Sequence, residues 1–367
     1  MMRVGMVTSA FEPEIGGIES HVRHLSDALG RAGCDVEIIT QCPHGKAGSW
    51  GKVEQTTTAK VLRFDDVTRT KEFRVSPKLW SYLRNQGGRY DIVHAHNFHA
   101  FPALAAATAQ SGPLVFTPHF HATGHSAAAK LLHVPYRKVA GRIFSRTSTV
   151  ICVSSAERHL FESVYPQYSD IVEVLGTGIN GGEIVRSDPY DIDLPVVLAG
   201  GRLEGYKRVD LVVEAFAQVA QSAMLIVAGG GPEETRIRSR VDELGLADRV
   251  RLLGRVDSEV LRRWQRTARV VVSMSTREAF GLSLAEAAVA GCFIVASDIP
   301  AHREVSELAG DASGLVPIDA NPSEIAAALL RGIEMPKRAA GQHGFPTWDA
   351  VAKETIEVYR SAAKTSR

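Results

Sequence analysis

The feature that most constrains this fold is a valine run followed by a loop, a helix of small residues and a second apolar run. Residues 270–272 (Val-Val-Val) are typical of a strand buried on both faces. A helix is predicted over 280–290, Gly291 ends it, and residues 293–296 predict the next strand. This unit places the loop and the helix N-terminus at the carboxyl edge of a parallel sheet, where open α/β sheets bind ligands.

The same alternation of strands and helices continues through all 367 residues, a length that suits two domains. Strands are predicted at 2–8, 36–40, 61–64, 92–95, 114–117, 150–153 and 171–174, and then at 196–199, 225–228, 251–253, 270–272 and 293–296. Helices are predicted at 18–29, from 233, at 280–290, at 319–330 and at 348–359. The polar, proline-bearing segment 183–195 predicts the interdomain hinge. We therefore expect α/β architecture with doubly wound domains at 1–183 and 184–344, and a last helix within 345–367.

Composition and charge exclude several classes of protein. The apolar content of 45% and charged content of 23% are those of a globular domain, and a net charge of +1 gives no argument for a nucleic-acid partner. No apolar run reaches about 18 residues, so no membrane-spanning helix is expected. The N-terminus enters a strand without a signal-peptide core, and the four scattered cysteines have no metal or redox spacing. We expect a cytoplasmic protein with reduced thiols.

Two glutamates flank the start of the helix at 280–290. Glu278 precedes the helix and Glu286 lies within it, with seven residues between them. The N-terminus of such a helix attracts phosphate, and acids on either side could reach hydroxyls of a nucleoside diphosphate sugar. On spacing alone, a surface acid and a dipole-favouring helix acid remain the alternative.

Two further segments suit a diphosphate. Arg202 and Lys207 follow the strand at 196–199, and a planar guanidinium and a point charge so spaced can converge on one diphosphate. Exposed loop charges are the alternative. Gly16 and Gly17 join the first strand to the first helix, where backbone can approach phosphate closely, although a plain tight turn has the same residues. Between this strand and this helix the fingerprint G-x-G-x-x-G is absent, which counts against a nicotinamide enzyme.

The interval between Asp91 and Glu157 contains no acidic residue but seven histidines. These are His94, His96, His99, His119, His121, His125 and His133. A metal site, a solvated basic face and a wall facing an anion are the three interpretations. A zinc site usually includes a carboxylate or thiolate as well, whereas an anion-facing wall suits a phosphate-bearing ligand. His119, just after the strand at 114–117, is the best placed; of His94 and His96, one is expected to line the ligand cleft and the other to pack.

Two further stretches have a distinctive composition. Residues 130–146 pair apolar and basic positions, which is typical of a helix on anionic lipid or of one packed into its own domain, and both interpretations stay open. Residues 43–59 are polar and contain glycine, and they predict an exposed loop.

The stretch EAFGLSLAEAAVAG at 278–291 resembles the signature of retaining GT-B glycosyltransferases of family 4. The segment G-R-L-x-x-x-K at 201–207 is similar to a second signature of that family, and Gly16-Gly17 is similar to its N-terminal glycine loop. All three occur in the family's order and together span nearly the whole chain. The resemblance implies two Rossmann-like domains facing a cleft, with the last helix crossing back onto the first domain.

The resemblance also implies a role for each residue that matches. Glu278 and His119 face the transferred sugar, and Glu286 contacts the ribose. Arg202 and Lys207 neutralise the leaving diphosphate. The remaining donor contacts that it implies are Gly16, Gly17, Arg255, Val256, Phe280, Gly281, Leu282 and Ser283.

The function implied is retaining transfer of a hexosyl group from a UDP- or GDP-sugar to an acceptor hydroxyl. The acceptor would be a small molecule, a glycan or a lipid-linked molecule, docked on loops such as 43–59 and 120–135. Because Arg202, Lys207 and the helix N-terminus would stabilise the leaving diphosphate, neither a metal nor another cofactor is expected. A nucleotide-sugar epimerase or hydrolase on the same fold would need acids or bases around the sugar, and the absence of carboxylates from residues 92–156 argues against it. A two-domain binding protein would lack the Arg–Lys pair. Peripheral membrane contact and oligomeric state are left open.

Overall fold

The protein, represented by a computed structural model, divides into two compact units. The first comprises Met1–Gly178 with Pro346–Arg367, and the second is Ile179–Phe345. The structure describes residues 1–365 except 15, 44, 47–52, 56–57, 69–73, 99, 110–111, 121–140, 220 and 222.

The first unit is built on one largely parallel sheet. Its strands are β1 Arg3–Thr8, β2 Asp35–Cys42, β3 Val53–Gln55, β4 Ala59–Asp65, β5 Ile92–His96, β6 Leu114–Thr117, β7 Thr149–Cys152 and β8 Val172–Val174, in the spatial order β3-β4-β2-β1-β5-β6-β7-β8. Only β3 is antiparallel, to β4. Strand β5 is buried at all five positions, as expected for a central parallel strand.

Helices cover this sheet. They are α1 Gly17–Arg31, α2 Pro77–Gln86, α3 Phe101–Ala109, α4 Ser155–Val164 and, from the end of the chain, α12 Trp348–Thr365; residues 141–144 are also helical. Val22, Leu25 and Leu29 of α1 and Trp348 and Tyr359 of α12 share one apolar core with β1 and β2. The last helix is therefore part of the core of the first unit.

The second unit has a six-stranded parallel sheet in the order β11-β10-β9-β12-β13-β14. Its strands are β9 Val196–Gly200, β10 Met224–Ala228, β11 Val250–Gly254, β12 Val270–Ser273, β13 Phe293–Ser297 and β14 Ser313–Val316. Its helices are α5 Gly181–Arg186, α6 Val209–Ala217, α7 Glu234–Glu243, α8 Ser258–Thr267, α9 Leu282–Val289, α10 Pro300–Ala309 and α11 Pro322–Glu334.

Each sheet has a point where the direction of winding reverses. In the first sheet this point lies between β1 and β5, and in the second between β9 and β12. Loops that follow the two strands at such a point diverge and leave a crevice at the carboxyl edge of the sheet. Arg202, Lys207 and Glu278 follow β9 and β12, and Gly16 and Gly17 follow β1.

The structure divides the chain a few residues before the predicted hinge at 183–195. Residues Gly181–Arg186 form α5, and the division between the units falls after Gly178. A Cβ on Gly178 would lie 2.6 Å from the Trp348 ring, so packing on Trp348 keeps the chain in the first unit up to this residue. The polar composition of 183–195 marks surface exposure and not the boundary itself.

Several predicted segments fall on residues that are not described. These are His99, His121, His125 and His133, most of the acceptor loop 120–135, part of the loop 43–59, and residues 130–140 of the amphipathic stretch. In the described end of that stretch, Ile143 and Phe144 are buried in the core of the first unit. Among the described residues, no helix is both long and apolar enough to cross a membrane.

Candidate active site

An ion pair lies at the carboxyl edge of the second sheet. Lys207 ends a 3₁₀ turn, Gly205–Lys207, that follows β9, and Glu278 lies in the loop that follows β12. The Lys207 Nζ donates to Glu278 Oε1 at 2.5 Å, and the two side chains are only 16% and 17% exposed. The neighbouring positions of β9 and β12 bring together two side chains that are 71 residues apart in sequence.

The charge of Glu278 is set by opposing influences. Burial raises the pKa of this carboxyl, but the Lys207 ammonium, a hydrogen bond from Ser275 and the proximity of His302 hold its pKa below the usual value. Glu278 is therefore ionised at neutral pH. A carboxylate in this state can accept hydrogen bonds from the hydroxyls of a ligand.

Arg208 fixes the loop that carries Lys207. It adopts a left-handed backbone conformation with φ of 50°. Its Nε donates to the Met274 carbonyl at 2.7 Å and its Nη1 to the Ile318 carbonyl at 2.5 Å. Arg208 thus ties the turn after β9 to the end of β12. The sequence analysis did not identify Arg208, and the only local indication of its role is its position directly after Lys207.

The N-terminus of α9 lies in the same loop as Glu278. Gly281, with φ of 107°, precedes Leu282, and no side chain caps the helix. The first N–H groups of a helix have no intrahelical acceptor and favour an anion. Phe280 is buried at 5% exposure, whereas Leu282 and Ser283 are half-buried. This helix end is suited to hold a phosphate beside Lys207.

Glu286, one turn into α9, has a defined partner. Gln265 of α8 donates from Nε2 to Glu286 Oε2 at 2.9 Å. Burial raises the pKa of Glu286, while Gln265 and the charge of Arg262 act in the opposite direction. Gln265, which spacing in the sequence could not identify, orients this carboxyl group.

Glycines allow the loops of the second unit to approach one another. A Cβ on Gly229, where φ is 145°, would lie 1.8 Å from the Gly201 carbonyl oxygen, so this contact requires glycine. Arg202 follows Gly201 and is exposed, as is Arg255 after β11, while Val256 is half-buried. The structure thus places Arg202, Arg255 and Val256 on loops at the carboxyl edge of this sheet.

In the first unit, the glycine pair begins α1. Gly16 is the N-cap, with extended backbone and no side-chain cap, and its carbonyl accepts the Ser20 N–H at 3.0 Å. Two residues earlier, Glu14 accepts two hydrogen bonds from the Arg74 guanidinium, at 2.5 and 2.6 Å. This bidentate pair anchors the loop that leads into the helix.

His119 is held in an uncommon conformation just after β6. Its φ is 48° and its side chain is 8% exposed. Its Nε2 lies 3.3 Å from His96 Nδ1, and its ring is edge-on to His21 with 5.0 Å between centroids. A left-handed non-glycine residue costs about 1–3 kcal/mol, and such strain is often found at functional sites.

The two histidines expected beside the ligand cleft are both buried. His94 and His96 are both fully buried, so the expectation that one of them is exposed to a ligand is wrong. His94 lies between Tyr359 Oη at 2.7 Å and Thr117 Oγ1 at 2.8 Å. Burial lowers the pKa of His94 to about 3, with a smaller contribution from His21. The imidazole is neutral at physiological pH.

A metal ion could be held only by a few of these groups. Ring nitrogens of His21, His96 and His119 all lie within 4.8 Å of one another, the one such group found in the described part of the chain. It includes no carboxylate or thiolate, and His96 already contacts Met6 Sδ at 2.8 Å and His119. A buried divalent charge without an anionic ligand is costly. We interpret the cluster as support for His119.

Comparison with known proteins agrees with this geometry. Residues 15–181 match the family model Glycosyltransferase Family 4, and residues 184–342 match Glycosyl transferases group 1. The chain is 30% identical to the phosphatidyl-myo-inositol mannosyltransferase of Mycolicibacterium smegmatis, over 99% of this chain and 94% of that protein.

Two solved structures share the fold over essentially the whole chain. Sucrose-phosphate synthase of Thermosynechococcus elongatus superposes with a TM-score of 0.79 at 21% identity, covering all of both chains. The HepE protein of Anabaena, solved with UDP and glucose, superposes with a TM-score of 0.74 at 20% identity, covering 100% of this chain and 99% of that one.

Two doubly wound units with charged, glycine-rich loops at their carboxyl edges define the GT-B class of enzymes. The chain belongs to the family 4 glycosyltransferases, and its activity is glycosyl transfer.

Proposed function

We propose that the enzyme moves a hexosyl group from a UDP- or GDP-sugar to an acceptor hydroxyl, with retention at the anomeric carbon and without a metal. The observation that carries the proposal is the Lys207–Glu278 pair, 2.5 Å apart and next to the N-terminus of α9. A cation for the diphosphate and a carboxylate for sugar hydroxyls occur side by side.

Each group has a distinct role. As the glycosidic bond breaks, the leaving diphosphate gains negative charge, which Lys207, Arg202 and the first N–H groups of α9 stabilise. Glu278 accepts hydrogen bonds from the transferred sugar, and Glu286, oriented by Gln265, accepts them from the ribose. Arg255 and Val256 contact the base, as the family resemblance implies. These groups supply enough positive charge to replace a metal ion at the phosphate.

The stereochemical outcome follows from the carboxylates available. Double displacement needs a carboxylate nucleophile beneath the sugar. Residues 92–156 contain none, and the next acid, Glu157, has both oxygens bonded to backbone N–H groups. Attack from the face that the diphosphate leaves, with the diphosphate accepting the acceptor proton, needs no such nucleophile. His119 of the first unit is assigned to the transferred sugar.

The donor and acceptor classes draw on the relatives. The HepE structure contains UDP, and the mycobacterial relative is named for mannosyl transfer to phosphatidyl-myo-inositol. We extend to this enzyme a nucleoside diphosphate donor and an acceptor hydroxyl on a small molecule, a glycan or a lipid-linked molecule.

The test is a donor screen. Purified protein is incubated with UDP- and GDP-hexoses and a set of inositol, glycan and lipid-linked acceptors, with and without EDTA. Mass spectrometry identifies a product, and NMR gives its anomeric configuration. We expect one donor to yield a product of retained configuration at a rate unaffected by EDTA. An inverted product, or a rate abolished by EDTA and restored by a divalent cation, contradicts the proposal.

A further inference from the structure

A buried carboxylate lies one strand away from His119. Glu157 is in the first turn of α4, whose N-cap is Ser154, and is only 2% exposed. The Ser154 Oγ accepts the Glu157 backbone N–H at 2.9 Å. The carboxyl group is directed toward the carboxyl edge of the sheet, where β6 and β7 end.

Both oxygens of this carboxylate bind backbone. Oε2 accepts the Val153 N–H at 2.7 Å, and Oε1 accepts the N–H of Phe120, which is 37 residues earlier in the sequence. Val153 follows β7 and Phe120 follows β6, and these strands are neighbours. One side chain therefore fastens the segment after β6 to the segment after β7.

The backbone is held by a hydrogen bond on each side of His119. On one side the Pro118 carbonyl accepts the Phe98 N–H at 2.8 Å. On the other side the Phe120 N–H is held by Glu157. A left-handed φ of 48° persists in a non-glycine residue only where its surroundings enforce it.

The bond to Glu157 is not needed to bury Phe120. The Phe120 ring, 1% exposed, already packs edge-on against Phe98 at 5.1 Å and Phe161 at 6.1 Å between centroids. Placing a carboxylate in such surroundings is unfavourable, and burial raises the pKa of Glu157 to about 7 although the two N–H groups act to lower it. What the carboxylate adds to the packing is a fixed direction for the backbone between Pro118 and Phe120.

We propose that Glu157 is the positioning residue for His119 in glycosyl transfer, acting through the Phe120 N–H. This inference rests on the proposed function, in which His119 faces the transferred sugar.

The test is a double-mutant cycle on turnover. Glu157→Gln keeps the volume, but its amide can accept only one of the two N–H groups and presents an N–H to the other. Because small displacements of a positioned group are costly, we expect E157Q to lower kcat by about 10- to 100-fold. The KM for the donor should change by less than about threefold, because most of its proposed binding groups lie in the second unit. In a His119→Ala background the same change should alter kcat by less than about threefold.

Ser154→Ala is the matched control. It removes the cap of the same helix and should lower the melting temperature about as much as E157Q, while kcat stays within about threefold. If S154A loses as much kcat as E157Q at an equal loss of melting temperature, or E157Q costs the same factor in both backgrounds, Glu157 is merely structural and the inference is overturned.

A second readout is independent of turnover. The imidazole NMR resonances of His119, identified by their absence in H119A, should shift in E157Q and stay in place in S154A. If the wild type transfers no sugar or H119A is fully active, the proposed function fails at His119, and these resonances alone decide the positioning role. Unchanged resonances in E157Q overturn it.

Discussion

At the level of single side chains, Lys207 is the most informative residue. It is proposed to bind the diphosphate, yet in the structure it donates to Glu278 at 2.5 Å. We infer that donor binding replaces this contact with one to phosphate, while Glu278 turns to sugar hydroxyls. After transfer the sugar has left, and Glu278 again competes with the diphosphate for Lys207.

This competition predicts opposite effects on product and on catalysis. Glu278→Gln removes the competitor, and an ion pair worth about 1 kcal/mol corresponds to about fivefold tighter binding of free UDP or GDP. The same variant should transfer sugar at least about 10-fold more slowly, because hydrogen bonds to the sugar are weakened. Isothermal titration calorimetry and initial rates measure the two effects.

The control for this prediction is Lys207→Ala, which should weaken nucleotide binding and turnover together. Weaker UDP and GDP binding in E278Q would show that Glu278 assists the diphosphate contact and does not compete with it.

Among the elements, the short helix α9 begins at a constrained backbone position. Gly281 precedes it with φ of 107°, and a Cβ there would contact His302 at 3.4 Å and Val305 at 3.6 Å. Space is adequate, so the restriction is the backbone angle itself. The direction of the first N–H groups of α9 depends on that angle.

Gly281→Ala should therefore impair donor binding beyond its effect on stability. We expect a loss of about 1–3 kcal/mol in the free energy of unfolding and a donor KM raised about 10-fold, since the anion site at the helix end is displaced. Gly310→Ala is the matched control, because Gly310 also has positive φ, 67°, with no atom within 4 Å of its Cβ position. That variant should lose stability and keep its KM. An unchanged donor KM in G281A would show that the N-terminus of α9 does not bind the donor.

The elements also show what the sequence could predict. Apolar β-branched runs located the strands, and because parallel strands end at one edge, residues after β6, β9 and β12 were expected in the candidate site. Strand β14, Ser313–Val316, was missed because two of its four residues are Ser and Gly, which leaves no apolar run. Gln265, Arg208 and Glu157 were missed for another reason, since each acts through a contact distant in sequence that no local pattern records.

Across the whole molecule, the buried histidines of the first unit make its stability depend on pH. Burial, followed by the charges of neighbouring histidines, lowers the pKa of His21 and His94 to about 3 and that of His96 well below its usual value. These imidazoles are neutral when folded and take up protons on unfolding. Their contribution to stability is complete above pH 6.5 and is lost as the pH falls from there toward 3.

The first unit should therefore destabilise steeply in mild acid. Below pH 6, each of the three histidines lowers the free energy of unfolding by about 1.4 kcal/mol per pH unit. Urea unfolding at several pH values, followed by hydrogen exchange of β1 amides, measures the slope. His94→Asn should reduce that slope by about 1.4 kcal/mol per pH unit, because one proton uptake is removed. A slope unaffected by this substitution would show that His94 is already protonated in the folded state.

The assignment of residues 346–365 to the first unit has a consequence for biosynthesis. As the ribosome elongates the chain, residues 179–345 can complete their own sheet while the first unit still lacks Trp348 and Tyr359, which are both buried in its core. The first unit, most of which is translated first, is thus the last to complete its fold. Until Thr365 has emerged from the exit tunnel, the nascent chain exposes an apolar surface over α1 and β1 that a chaperone would recognise.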